Sequence, residues 1–390
     1  MTTENKDIAE LTTKINKLNK QYKSVNQVVF VRSGSVVLDS ILGGGIPLGV
    51  FISCTAEEGC GKSTLALHMS KVFCMQGKKV CYLDYEGVND KQIEGMGLRE
   101  YHRTEENPDG PFILYQVQTF RDAETILDEI MLYVDLVVID SATAILTEKV
   151  KGSSSEDALP GVDSRVMSVF LKKYKAESIR NGITWFIINQ MRTKISFLGP
   201  SSEVEAGGKA MKFYPDIRLQ MKRAYKGSLE RVEETAIGQQ KVPFGAICMI
   251  WAEKNRYERP KIPLNIAIIF GKGVSNEYAY YDYLTFKKTI VKTGAWYQIK
   301  LNDINVKLNG INKVIDWINE NKDTVRNYIN STGGYKLMLK ESKPVNIGLS
   351  AEMKEDVYGE EVLTGDFDTM VDGRDLPDSI EEVGEGVQSE

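Results

Sequence analysis

One segment limits the fold more than any other: Ala56-Glu57-Glu58-Gly59-Cys60-Gly61-Lys62-Ser63-Thr64, set between an apolar run (Val50 to Cys54) and a helical pattern (Lys62 to Gln76). Strand, glycine-rich loop and helix in that order make a phosphate-binding turn of the form G-x-x-x-x-G-K-[ST], here with Ala56 where the first glycine would stand. The first N–H groups of a helix have no partner inside it and carry the positive end of its dipole, so they wrap an anion. Lys62 adds a cation and the Ser63 hydroxyl a ligand for Mg²⁺. The expected nucleotide contacts are Glu58, Gly59, Cys60, Gly61, Lys62, Ser63 and Thr64.

Such a turn needs a sheet behind it, and the chain supplies one. Lys79 to Asp84, Asp135 to Asp140 and Thr184 to Asn189 have the short apolar character of buried strands, alternating with helical patterns at Phe120 to Leu132 and Arg165 to Arg180. Repeated units of this kind predict an α/β fold with a mostly parallel central sheet covered by helices on both faces. Ile217 to Met221, Ala246 to Ala252 and Leu264 to Phe270 read as hairpin-connected strands extending it. Leu136-Val137-Val138-Ile139-Asp140-Ser141 would deliver Asp140 to the metal. A hydrolytic site also needs a carboxylate that orients water. Glu86 and Asp84 compete for that role at the carboxyl end of the strand Val80 to Asp84, where ligands of such sheets bind.

Composition excludes several alternatives. Hydrophobic residues make up 42% and charged residues 26% of 390, as in a globular protein. No apolar run approaches the ~18 residues of a membrane span, and Met1 to Glu10 is too charged for a secretory signal. Two histidines, His68 and His102, offer little to a histidine-based metal site or triad. Five cysteines without a C-x-x-C pair fit the reduced thiols of a cytoplasmic protein.

The net charge of −5 hides two unlike parts. In Ala351 to Glu390, 14 acidic residues against Lys354 and Arg374 give −12; the 47 basic and 40 acidic residues of Met1 to Ser350 give +7. With too little apolar content for a core, residues 346–390 are expected to be a disordered acidic tail. Residues 1–32 hold an amphipathic helix (Asp7 to Tyr22) and a short strand, residues 33–287 the α/β core, and residues 288–345 a small separate α+β lobe with its own aromatics. Lys151 to Gly161 and Ser196 to Gly208 interrupt the core and read as loops.

The order of motifs resembles the RecA recombinase family, from about residue 25 to 330. It is carried by Leu42-Gly43-Gly44-Gly45-Ile46-Pro47-Leu48-Gly49, the phosphate turn, Leu83-Asp84-Tyr85-Glu86, Val138-Ile139-Asp140-Ser141 and Ile188-Asn189-Gln190-Met191-Arg192. Gly207-Gly208-Lys209-Ala210-Met211-Lys212-Phe213-Tyr214, Glu253-Lys254-Asn255-Arg256 and Gly294-Ala295-Trp296-Tyr297 complete it. The last of these resembles the junction into the C-terminal lobe of bacterial and phage members.

The resemblance implies an ATP- and Mg²⁺-dependent enzyme that forms helical filaments on single-stranded DNA and exchanges it with double-stranded DNA in recombinational repair. It matches Glu86 to the general base, Gln190 to the γ-phosphate sensor, and Lys254 and Arg256 to a pair reaching the neighbouring subunit's nucleotide. Asp90 joins the nucleotide site, and Phe213 and Lys212 the subunit interface, with the N-terminal helix packing on the next protomer. DNA contacts fall on Gly161, Arg165, Ser168 and Lys172 around the first loop. In a second loop near residues 191–209 they fall on Arg192, Thr193, Lys194, Ile195, Gly207, Gly208 and Lys209. The family's acidic tails imply that this tail competes with duplex DNA for the basic body. Single-strand-binding and loader proteins are further partners the resemblance allows, in the cytoplasm of a bacterial or phage-infected cell.

Ala56 and Ile93 depart from the family pattern, Ile93 standing where an adenine-stacking tyrosine is usual. A hexameric helicase or packaging ATPase would share the phosphate turn and Asp140 but not the Gly207-Gly208 or Trp296 motifs.

Overall fold

The computed structural model describes residues 11–14, 16–17, 28–145, 162–194, 202–205, 208–235 and 238–334. The acidic tail, Lys151 to Gly161, and most of Asp7 to Tyr22 lie outside them; residues 11–14 and 16–17 are helical.

The chain opens with β1 (Phe30–Val31), α1 (Val36–Leu42) and β2 (Ile46–Pro47), β1 and β2 pairing antiparallel. Ser35 starts α1 by accepting the Leu38 N–H, and Gly43 ends it at φ 92°, a left-handed cap that favours glycine. Then follow β3 (Phe51–Ala56), α2 (Lys62–Met75), β4 (Val80–Asp84), α3 (Asp90–Gly95) and β5 (Phe112–Gln116). After α4 (Phe120–Ile130) come β6 (Leu136–Asp140), α5 (Val162–Asn181), β7 (Thr184–Lys194), β8 (Ser202–Glu205) and α6 (Gly208–Phe213). β9 (Ile217–Thr235), β10 (Gly238–Lys254), β11 (Leu264–Ile269) and β12 (Gly273–Ser275) lead to α7 (Asn276–Phe286). The described chain closes with β13 (Ile290–Thr293), β14 (Trp296–Leu301), β15 (Ile304–Asn309), α8 (Ile311–Glu320) and α9 (Lys322–Ser331).

The main sheet runs β12–β11–β10–β9–β3–β7–β6–β4–β5, with β8 attached to β7. The six strands from β9 to β5 are parallel, and β10, β11 and β12 add antiparallel strands. The predicted α/β architecture is therefore present. Its two covered faces follow from the pleat, which sends successive side chains to opposite sides. Ile52, Tyr82, Val138 and Phe186 pack with α2 residues such as Leu65 and Phe73. Their neighbours Phe51, Leu83, Ile139 and Trp185 pack with Leu127 of α4 and Phe170 of α5. No helix among the described residues is long and apolar enough to cross a membrane. All five cysteines are free and buried.

Three expectations change. The stretch near residues 191–209 is not simply a loop: β7 continues to Lys194 and pairs antiparallel with β8, Arg192 opposite Val204, before α6 begins at Gly208. The sequence of this ribbon, Arg192-Thr193-Lys194 and Ser202-Glu203-Val204-Glu205, has no apolar alternation by which a strand could be recognised. The β9–β10 hairpin is likewise longer than its apolar stretches, with pairing continuing to Thr235 opposite Gly238. The β13–β15 sheet with α8 and α9 does not have a separate core: Tyr297, Ile299, Val314 and Ile329 join one apolar cluster with Tyr280 and Tyr283 of α7.

Candidate functional site

The carboxyl ends of β3, β4, β6 and β7 are neighbours in one sheet, and they bring Lys62, Ser63, Glu86, Asp140 and Gln190 to one edge. Ala56 closes β3, paired with Gln190 on one side and Met221 on the other, so its backbone is extended and needs no glycine, and its methyl is buried in the core. The loop then turns through Gly59 at φ 74° and Gly61 at φ 80°, into the N-terminus of α2. A Cβ on Gly61 would lie 2.8 Å from Ile268 Cγ2; at Gly59 it would meet open space. Lys62 folds back to donate to the Ala56 carbonyl at 3.1 Å and the Glu57 carbonyl at 2.7 Å. A cation whose partners are two neutral carbonyls is set to be drawn to phosphate. The Cys248 thiol donates to the Cys60 carbonyl at 3.5 Å, tying the loop to β10. Glu58 is exposed and Thr64 half-buried.

Asp140 is 1% exposed. Its Oδ2 accepts the Tyr82 hydroxyl at 2.6 Å, while Oδ1 is buried with no partner. Burial, above all, pushes its carboxyl up to about 6, against the Tyr82 and Ser63 hydroxyls, which favour the anion. An orphaned carboxylate oxygen beside a serine hydroxyl fits a hard cation that takes its other ligands from phosphate and water. No cluster of three His, Cys, Asp or Glu able to hold a metal occurs among the described residues. The site therefore fits Mg²⁺ carried with a nucleotide rather than a metal caged by protein.

The two candidate carboxylates at the carboxyl end of β4 separate cleanly. Asp84 is buried and accepts backbone N–H groups from Glu86 at 3.1 Å, Gly87 at 2.8 Å and Val88 at 2.6 Å, so its lone pairs are spent shaping the turn. Glu86 is exposed at the edge, where its Oε1 accepts the Gln190 amide at 2.9 Å and the Ser141 hydroxyl. Thr143 Oγ1 lies 2.8 Å from that hydroxyl. Sequence reasoning did not assign roles to Tyr82, Ser141 or Thr143; the only signal was their place in or next to the β4 and β6 motifs. Asp90 is exposed in the first turn of α3, whereas Ile93 is buried in the core and offers no face to a base.

The described residues expected to meet DNA fall on β7, α5 and α6. Two residues beyond Gln190, β7 carries Arg192, Thr193 and Lys194 out of the main sheet into the β7–β8 hairpin, and Gly208 and Lys209 open α6. Arg165, Ser168 and Lys172 share a face of α5, opposite Met167, Phe170 and Leu171, which pack with Ala210 and Met211 of α6. Gly161, Ile195 and Gly207 lie outside the described residues. Phe213, at the end of α6, is 72% exposed, and Lys212 beside it is also exposed.

Lys254 and Arg256 are not brought to this edge. β10 ends at the amino edge of the sheet, where Lys254 pairs with Arg218, itself opposite Ser53 near the start of β3. Arg256 Nη1 is 2.9 Å from Asp216 Oδ1, and Asp216 Oδ2 accepts the Phe51 N–H at 3.1 Å. From Phe51 to Ala56 is five residue steps, about 17 Å of strand, beyond the reach of an arginine side chain. Within one chain the pair cannot touch the phosphate turn.

The model of the RecA N-terminal domain matches residues 7–275. Protein RecA of Bordetella avium is 29% identical over 336 residues, covering 85% of each chain. Protein RecA of Fusobacterium nucleatum is 30% identical over 280 residues, 71% of this chain and 70% of that one. A solved RadB recombinase is similar at a TM-score of 0.44 and 20% identity, covering 63% of this chain and 98% of its own. With the family model spanning more than half of the sequence, the chain belongs to the RecA family.

Proposed function

We propose that the protein is an ATP-dependent recombinase that polymerises on single-stranded DNA and exchanges strands with a homologous duplex. The observation that carries this reading is the continuity of β7. Gln190 donates to Glu86 at the nucleotide edge, and Arg192 to Lys194 follow within four residues on the same strand, in the β7–β8 hairpin. A strand is stiff, so a shift of Gln190 toward a γ-phosphate displaces the hairpin, and DNA held there biases Gln190 in return.

In this reading the helix N-terminus of α2, the loop amides and Lys62 bind the triphosphate. Ser63 and Asp140 would hold Mg²⁺, which supplies charge neutralisation at the β- and γ-phosphates when bound. Glu86, oriented by Ser141 and Gln190, accepts the proton of the attacking water. Lys254 and Arg256, at the far edge, serve the neighbouring subunit, so hydrolysis requires assembly by the electrostatics of an arginine finger. The exposed Phe213 and Lys212 belong to the same contact. Basic residues of the hairpin and of α5 grip phosphates without reading sequence. Homology is then tested by base pairing itself. Single-strand-binding and loader proteins would act at assembly, in the cytoplasm.

The test is ATP hydrolysis by the full chain with and without single-stranded DNA, combined with electron microscopy. Strong stimulation by DNA and extended helical filaments are expected. Equal rates in both conditions, or closed rings, would refute the reading.

A further inference from the structure

Of the two cations at the amino edge, Arg256 is held by a carboxylate that none of the motifs explains. Asp216 immediately precedes β9, and the antiparallel register that sets Arg218 opposite Lys254 places it beside Arg256. Its side chain is 5% exposed. Oδ1 lies 2.9 Å from Arg256 Nη1, and Oδ2 lies 2.9 Å from Lys175 Nζ while also accepting the Phe51 N–H at 3.1 Å. Lys254 completes the group by donating to the Pro215 carbonyl at 2.7 Å. Lys175 donates to the Tyr214 carbonyl and sits 5.0 Å from the centre of the Phe51 ring. One buried acid thus ties the end of β10 to α5 and to the first residue of β3.

Stability alone does not call for this arrangement. Lys175 and one backbone N–H already compensate a buried carboxylate, yet Arg256 is added, and Lys254 stands next to it. Two cations, Lys175 and Arg256, contact one anion and Lys254 stands beside them, a surplus of positive charge at this edge. Arg256 is 62% exposed, and a single nitrogen is committed to Asp216, so its other donors remain for a second anion.

We propose that Asp216 is a positioning residue for ATP hydrolysis in the neighbouring copy. It fixes Arg256 directly, and Lys254 through the Pro215 carbonyl, in the geometry in which they meet that copy's γ-phosphate. The inference rests on the reading above that the pair acts on the neighbour. Ordering a long flexible side chain before assembly removes an entropic cost that would otherwise fall on the transition state. The single anion also keeps three cations from driving one another apart.

The experiment measures DNA-stimulated hydrolysis by full-length variants. Asp216→Asn is expected to lower kcat about tenfold while KM for ATP moves by less than about twofold, because its own phosphate turn lies at the far end of β3. The decisive arm mixes each variant with an excess of Glu86→Gln subunits, which keep Lys62, Arg256 and Asp216 but lack the base. Most Asp216→Asn subunits then face an intact neighbour, and their turnover should return to that of wild-type subunits diluted in the same way. Failure to recover, or an Asp216→Asn protein that is fully active alone, would overturn the inference. Arg256→Ala in the same mixture separates the two claims. If Arg256→Ala is not rescued either, the reading that the pair acts on the neighbour fails; if it is rescued and Asp216→Asn is not, only the role of Asp216 fails. Lys175→Gln, which keeps the Asp216–Arg256 pair, is expected to lower thermal stability with kcat within about twofold of wild type. A loss equal to that of Asp216→Asn would trace the effect to the fold and overturn the proposal.

Discussion

Replacing Asp140 with Asn removes a charge that the nucleotide-free fold holds at a cost, and the cost follows from its surroundings. The carboxyl is almost wholly buried, has one unpartnered oxygen, and is pushed up from 3.8 to about 6, chiefly by burial. A raised carboxylate pKa means that the folded state binds the proton more tightly than the unfolded state. Stability therefore falls as pH rises through the window between about 4 and 6, and the full penalty applies above it. At pH 8 two pKa units correspond to roughly 3 kcal/mol; at pH 5 about half of that remains. Asn keeps an acceptor for the Tyr82 hydroxyl and exchanges the unpaired Oδ1 for an uncharged NH2 beside the Ser63 hydroxyl, so a buried charge is removed. Urea unfolding without nucleotide should show Asp140→Asn more stable by about 1–3 kcal/mol at pH 8, the gain shrinking toward pH 5. With ATP and Mg²⁺ the order should invert, since only the carboxylate gains a cation. A variant less stable than wild type at pH 8 without nucleotide, or stabilised equally by Mg²⁺ and ATP, would refute this account of Asp140.

Other substitutions test the remaining geometry. Glu86→Gln should lower ATP hydrolysis by roughly 10²-fold or more with nucleotide affinity retained, as read by turnover beside a fluorescent-nucleotide titration. Gly61→Ala should destabilise the fold by about 2 kcal/mol or more, from its left-handed backbone and the Ile268 clash, whereas Gly59→Ala should cost about 1 kcal/mol; equal losses would contradict the difference in space. Ala56→Gly, which restores the usual motif, should cost about 0.5–1 kcal/mol in stability without tightening nucleotide binding, because Ala56 is an extended strand residue. Ending the chain at Ser350 should strengthen duplex binding, most at low salt, and a gel-shift titration over ionic strength reads it.

Local chemistry made much of this protein legible in its sequence. A phosphate turn requires a strand before it and a helix after it, and four-residue apolar runs ending in acids require buried parallel neighbours. From those residues the sheet, its covered faces and the grouping of Lys62, Ser63 and Asp140 could be read directly, whereas Glu86 is singled out only by the family resemblance. What the sequence could not show is anything decided by pairing between distant segments. Asp84 and Glu86 are equivalent as letters; only the turn that consumes Asp84's oxygens, and the approach of Ser141 and Gln190, separate them. The β7–β8 ribbon carries no apolar stripe, so its register exists only in the folded hairpin. Asp216 looks like a surface acid until β3, β9, β10 and α5 enclose it. Periodicity reports which side of an element is buried, whereas the partner of a charge depends on strand order. That order alone sets Lys62 and Arg256 at opposite edges of one sheet.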